Sequence, residues 1–201
     1  MGKSWESKGY VGEGNTAGLL DSLSGRPAIV AGSGKGVFEE VQRTTRIMRE
    51  PVIFAVNDVG VLLPHIDHFV SHHTPRLVHW VNIRRDPTGG SYGNTDFNVH
   101  DSGLYGAADW CQWTGLTPKM SLSGLFAAQI AYLMGCVPIV LAGCPTDDTP
   151  RFWETEYKTC NVGYEKTQKT FQQELYFKPE FKRVLRSMSG WSKEFLGGIN
   201  A

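Results

Sequence analysis

Residues 121–147, SLSGLFAAQIAYLMGCVPIVLAGCPTD, constrain the fold more than any other stretch, because a helix start, an apolar helix, a stop, a buried strand and a polar loop follow without a gap. Ser121 and Ser123 are N-cap residue types, whose side-chain oxygens can accept from the orphan amides of a first helical turn. Leu122, Leu125, Phe126, Ile130, Leu133 and Met134 then recur at spacings of three and four, and Ala127, Ala128 and Ala131 allow close approach to a neighbouring layer, so one side of this helix is expected to pack on a sheet. Gly135 is the expected stop. The run 137–142 is nearly all apolar, as in parallel strands covered on both faces, with Pro138 near its start because proline donates no ladder hydrogen bond. Gly143, Pro145, Thr146 and Asp147 follow at the strand's C-terminal end, the edge where open α/β sheets bind ligands.

Three more apolar runs share that grammar. PAIVA at 27–31 leads into Gly32, Ser33, Gly34, Lys35 and Gly36 and then a helix with Val37, Phe38, Val41, Thr45 and Met48 on one face. A strand, a glycine turn and a helix make a phosphate-site geometry, since glycines admit close backbone approach and a helix N-terminus offers free amides. The turn is neither the dinucleotide fingerprint, which needs glycine where Val37 stands, nor a P-loop, which needs Ser or Thr after Lys35. VIFAV at 52–56 ends in Asn57 and Asp58, and HFVS at 68–71 ends in His72 and His73. In one parallel sheet these polar ends gather on a single edge with Gly32 to Gly36 and Gly143 to Asp147, which predicts one ligand crevice.

Segments outside these runs set the domain plan. Residues 1–26 read as an arm with a short helical turn at Leu19, Leu20 and Leu23, of a kind that a partner can order. The core spans 27–150 and includes a long Gly-, Asn- and aromatic-rich loop at 86–119, a candidate lid or assembly loop with one strand near 97–99. Residues 75–83 are expected to form a short helix, followed by solvated Arg84 and Arg85. A helical extension covers 151–201, with helices at 167–177 and 180–188, the second carrying Phe181, Val184, Leu185 and Met188 on one face. The fold class expected is a single-domain α/β protein with an open, mostly parallel, Rossmann-like sheet and helices on both faces.

Composition narrows the function classes. Twenty basic residues balance twenty acidic ones, so nucleic acid and anionic membranes are not expected partners. Cys111, Cys136, Cys144 and Cys160 contain no C-x-x-C pair, which points to free thiols rather than a disulfide framework or zinc site. A metal site drawn from His65, Asp67 and His68 or His72 matches no ligand spacing, and no metal is expected. No signal-peptide core precedes residue 28 and no run approaches the roughly 20 apolar residues of a spanning helix, so the expected location is the cytoplasm of a host cell or a virion assembled there.

AIVAGSGKGVFEE, VIFAVNDVG, DHFVSHH and residues 121–147, in that order, resemble the motif order of a Rossmann-like superfamily that contains the family 42 sialyltransferases and the 6-hydroxymethylpterin diphosphokinase-like proteins. The closing VLRSMSGWSKEFLG resembles small phage and prophage proteins. The resemblance implies that Gly32, Ser33 and Gly34 hold phosphate, that Asn57 meets the nucleotide, that Ser123 and Gly124 form a helix-end site, and that Gly143 allows close approach at the last strand. This chain departs from the relatives' pattern at Gly36, where they carry Ser, and at Cys144 and Pro145, which displace the expected acidic residue to Asp147. The resemblance implies nucleotide or nucleotide-sugar binding and transferase-type chemistry, glycosyl or diphospho transfer, for which a CMP-sugar, another nucleotide sugar or a pterin and ATP fit equally well. Candidate catalytic groups are His72 or His73 as base, because an imidazole titrates near neutral pH, with Asp58 or Asp147 orienting it. A virion structural or assembly protein, forming homo-oligomers or joining other phage subunits, is the alternative.

Overall fold

The apolar runs at 28–31, 52–56 and 139–142 are buried along their whole length, as strands covered on both faces must be. The computed structural model describes residues 16–86, 88, 93–102, 111–113, 116, 122–156 and 163–199. Residues 1–15 of the arm, Ser121, Cys160 and much of the 86–119 loop lie outside them. One parallel sheet is built from β1 (Ala28–Ala31), β2 (Val52–Val56), β3 (His68–Ser71), β4 (Asn98–Asp101), β5 (Cys111–Gln112), β6 (Ile139–Ala142) and β7 (Leu185–Ser187), in the spatial order β5-β4-β3-β2-β1-β6-β7. The chain winds outward from β1 to β5, then returns beside β1 and continues the other way. That reversal, between β1 and β6, is the topological switch point of an open α/β sheet.

Alternating side chains feed two cores. Ala28, Val30, Phe54 and Leu141 face one, and Ile29, Ala31, Ala55 and Val140 face the other. The second core is closed by α1 (Val37–Ile47), α2 (Val59–Leu62) and α3 (Thr74–Arg85), and the first by α4 (Ser123–Leu133), α5 (Tyr164–Tyr176), α6 (Pro179–Val184) and α7 (Gly190–Leu196). The expected α/β class with helices on both faces is therefore the observed one.

Helix α4 differs from the one-sided helix expected from its sequence. Leu125, Phe126, Ala127, Ala128, Ile130 and Ala131 are all buried, because Phe171, Leu175 and Phe181 of the later helices cover the side turned away from the sheet. Its C-terminal carbonyls receive the end of the N-terminal arm: the amides of Asp21, Leu23 and Gly25 donate to Leu133, Met134 and Gly135. Residues 16–25 are thus ordered by their own chain.

The expected helix at 180–188 ends at Val184, and Leu185–Ser187 form β7, parallel to β6 with Leu185 opposite Ile139. A strand alternates faces, so Leu185 joins the first core and Met188 the second instead of sharing a helix stripe. Tertiary pairing with the exposed edge of β6 overrides the local helical pattern. The extension beyond residue 150 thereby supplies a strand and three helices to the same sheet and core.

Two buried polar assemblies hold the outer half of the sheet. The Nε1–H of Trp113 donates to His100 Nδ1 at 3.0 Å. A tryptophan can only donate, so His100 carries its proton on Nε2 and donates it to His68 Nδ1, 2.7 Å away. Arg84, expected to be solvated, is fully buried. Its Nη1 donates to the carbonyls of Gly60 and Leu63 at 2.7 and 2.8 Å, and Nε and Nη2 reach the carbonyl and side-chain oxygen of Asn94 at 2.9 and 2.8 Å. A helix that ends in the interior leaves carbonyls unpaired, and the guanidinium fork satisfies those of α2 while tying them to the loop before β4. Arg84→Lys keeps the charge but loses the fork, and should lower unfolding free energy in urea titration by about 3 kcal/mol.

Candidate functional site

At the switch point the turns leaving β1 and β6 press together. The amide of Gly32 donates to Ala142 O and that of Gly34 to Gly143 O, both at 2.8 Å, and Lys35 donates to Pro150 O at 2.8 Å. A Cβ on Gly34 would lie 2.9 Å from Gly143 O and 2.7 Å from Pro145 Cδ, so this glycine is required by close approach. The left-handed angles fall instead on Gly36 (φ 87°) and Gly143 (φ 61°), where glycine carries no Cβ penalty. Three of the turn's amides, those of Gly32, Gly34 and Lys35, are thus committed to the protein's own carbonyls. The N-terminus of α1 is also electrostatically matched from within: Glu39 and Glu40 lie in its first turn, and Glu40 Oε2 accepts from the amide of Gly143 at 2.7 Å.

The open helix end is that of α4. Ser123 is its first helical residue and Leu122 occupies the cap position with no side-chain cap, where Ser121 or Ser123 was expected to cap. The first turn carries no acidic residue, and the amides of residues 123–125 have no acceptor among the described residues. Gly124 brings this end within contact of Cys144, since a Cβ there would lie 2.9 Å from its Sγ.

These ends enclose a cavity of about 390 Å³ lined by Gly32, Ser33, Gly34, Asn57, Asp58, His73, Ser123, Gly124 and Gly143. The sheet edge therefore brings most of the sequence-nominated residues to one place. His72 and Asp147 are the exceptions, neither belonging to the lining. His72 points into the α4 side and stacks on Phe126 with centroids 4.3 Å apart. Asp147 serves structure: Oδ2 accepts from the amide of Trp191 at 2.7 Å, at the start of α7, and Oδ1 from Thr149 N at 2.9 Å. Burial raises its pKa, but these bonds outweigh that and the net shift is downward.

Further lining residues come from positions that no motif nominated: Arg76, Trp80, Arg151 and Trp153. Their signal is spacing. His73, Arg76 and Trp80 lie three and four apart at the start of α3, one helical face. Arg151 pairs with Gly34 in an antiparallel bridge, Phe152 donates to Ser33 O at 2.9 Å, and a turn closed by the Glu154 amide on Arg151 O leaves both Arg151 and Trp153 in the lining. Arg151 also lies over the Trp153 ring, 5.3 Å from its centroid.

The polar floor is preorganised. Asn57, in the left-handed region at φ 59°, accepts from Ser71 Oγ at 2.6 Å, and Ser33 Oγ donates to Asp58 Oδ1 at 2.6 Å. Burial raises the Asp58 pKa, and the Ser33 hydrogen bond and the charge of Arg151 oppose it without cancelling it. Burial, then Arg76 and Arg151, lower that of His73, which is neutral at pH 7. His65 meets Asp67 at 3.2 Å and His68 meets His100, so the histidines of the candidate metal site do not converge; among the described residues no group of three or more His, Cys, Asp or Glu could hold a metal. Cys111, Cys136 and Cys144 are free thiols, and no helix among the described residues is long and apolar enough to cross a membrane.

No protein-family model and no curated protein matches this chain.

The raised pKa of Asp58 fixes a pH signature. Between its ordinary value of 3.8 and the higher folded value the folded protein holds more protons than the unfolded chain, so this group's contribution to stability falls as pH rises through that window. Asp58→Asn retains an oxygen for Ser33 and removes the buried charge. Its Tm should exceed that of the wild type at pH 7, and the difference should vanish below pH 3.8, as read by thermal melts across pH.

Proposed function

We propose that the cavity binds a nucleotide or nucleotide sugar, and that His73 acts as general base in transferase-type chemistry on it. One observation carries this reading: Arg76, Arg151 and the uncapped start of α4 face a single cavity that also presents two tryptophans. Two guanidiniums and unpaired helix amides suit a phosphate, and indole faces suit a base. The volume falls within the range of small-molecule sites, about 300 to 1,000 Å³. Neutral His73 would take the proton of an acceptor hydroxyl as that oxygen forms the new bond, while the departing phosphate oxygen keeps the electron pair of the broken bond beside the arginines. Arg76→Ala and Arg151→Ala should each weaken binding about tenfold to a hundredfold in calorimetric titration with a nucleotide and nucleotide-sugar panel, with Tm little changed because both side chains are exposed. If no panel member binds the wild type at millimolar concentration, the proposal fails.

An assembly role, as in a phage particle, draws on a different surface. Tyr176 and Phe177, at the end of α5, are 80% and 76% exposed and stack edge to face, which is contact area of the type interfaces use. On that reading the pure protein self-associates in sedimentation velocity and a Tyr176→Ser, Phe177→Ser double variant does not; a wild-type monomer at all concentrations removes it.

A further inference from the structure

His72 and Ser102 are 5% and 2% exposed, and neither ring nitrogen of His72 nor the hydroxyl of Ser102 has a hydrogen-bond partner. Buried polar groups are almost always paired, so adjacent orphans require an explanation. They are adjacent by register: β3 and β4 run parallel with Ser71 opposite Asp101, which places His72 and Ser102 side by side one step past the strand ends, on the face turned toward α4. The Trp113–His100–His68 relay on this same face is satisfied internally, so along β3 and β4 the unpaired groups begin only at the C-terminal edge of the sheet. The stack on Phe126 holds the imidazole in place, and the Leu122 backbone favours its protonated form against the larger effect of burial. Leu122 and His73 both line the main cavity, so His72 lies behind its wall, with Ser102 beside it by register.

We propose that His72 and Ser102 form a second polar subsite, continuous with the cavity, that takes the hydroxyls of a polyhydroxy group such as the glycosyl part of a nucleotide sugar. The chemistry of the pair selects that class. Burial lowers the His72 pKa to about 4, so the imidazole is neutral and offers one donor and one acceptor, and a serine hydroxyl does the same. A hydroxyl answers both, whereas a phosphate would leave the acceptor nitrogen facing negative charge. A site built to hydrogen-bond a hydroxyl also rejects ligands that lack it, because its own polar groups are then left unpaired. As a selector between nucleotide and nucleotide sugar, the subsite rests on the reading of the main cavity given above.

The test compares wild type with His72→Phe, which keeps the aromatic stack, and Ser102→Ala. Titrations use a nucleoside monophosphate series, the matching nucleotide sugars and, separately, free monosaccharides followed by saturation-transfer NMR. The proposal expects a nucleotide sugar to bind the wild type at least tenfold more tightly than its nucleotide, both variants to lose that increment while keeping the nucleotide affinity, and Tm to be unchanged or raised. Equal affinity of nucleotide and nucleotide sugar, or variants that retain the increment, overturns it and leaves the pair as a site for solvent. If nucleotides and nucleotide sugars all fail to bind, the main-cavity reading falls, and the monosaccharide arm decides the subsite: transfer signals that are lost in both variants sustain it, and no signal in the wild type overturns it. A variant that does not fold is replaced by Ser102→Gly or His72→Leu under the same criteria.

Discussion

The contact between the turns that leave β1 and β6 is the constraint on which the rest of the site depends. Their backbones meet through Gly34 N–H and Gly143 O at 2.8 Å, and a single Cβ at Gly32 or Gly34 would strike Gly143 O. Because the two strands are neighbours at the point where the chain reverses direction, it departs after β1 into α1 on one face and after β6 toward α5 on the other, the face that also carries α4. The cavity is the space left between those departures. Cys144, packed against Gly32 and Gly124, sets how closely the start of α4 approaches, and burial holds its thiol up at about 12, so it acts as a small apolar spacer.

Electrostatics then distinguish the two helix ends that the topology supplies. Both bring positive dipole ends to the sheet edge, but Glu40 occupies the neighbourhood of α1 and bonds to Gly143, whereas α4 starts without a cap or an acidic residue. The unbalanced positive potential therefore belongs to the start of α4, and Arg76 and Arg151 add positive charge to the same cavity. Asp58 faces the same cavity at a cost in desolvation that Ser33, Arg151 and the backbone amides of Asp58 and Val59 reduce in part. A carboxylate held against its solvation preference is a feature that marks functional sites more often than structural ones.

Polar groups inside the sheet's outer half work in the opposite sense. Arg84 and the Trp113–His100–His68 relay are fully or nearly fully buried and internally paired, and they bind β3, β4, the residue after β5 and α2 into one unit. Satisfied networks of this kind specify a single arrangement, because any alternative packing leaves their atoms orphaned in a low-dielectric interior. The contrast with His72 and Ser102, one step further along the same strands, is what makes that pair chemically distinct.

The amino-acid sequence by itself determined the α/β class, the strands at 52–56, 68–71 and 139–142, and the gathering of Gly32, Ser33, Asn57, Asp58, His73, Ser123 and Gly143 at one edge. Those features follow from continuous apolar runs that end in polar residues, a local signal that requires only that the strands be parallel. Tertiary structure decided what local pattern cannot encode. Leu185–Ser187 became a strand because β6 had an open edge, and Arg84 was buried because α2 ended in the interior with carbonyls to satisfy. Asp147 left the site because Trp191, forty-four residues away, needed an acceptor for its amide. Arg151 entered it by pairing with Gly34 across more than a hundred residues of chain. Each depends on which unpaired groups of one segment face those of another, and that relation exists only once the chain has folded.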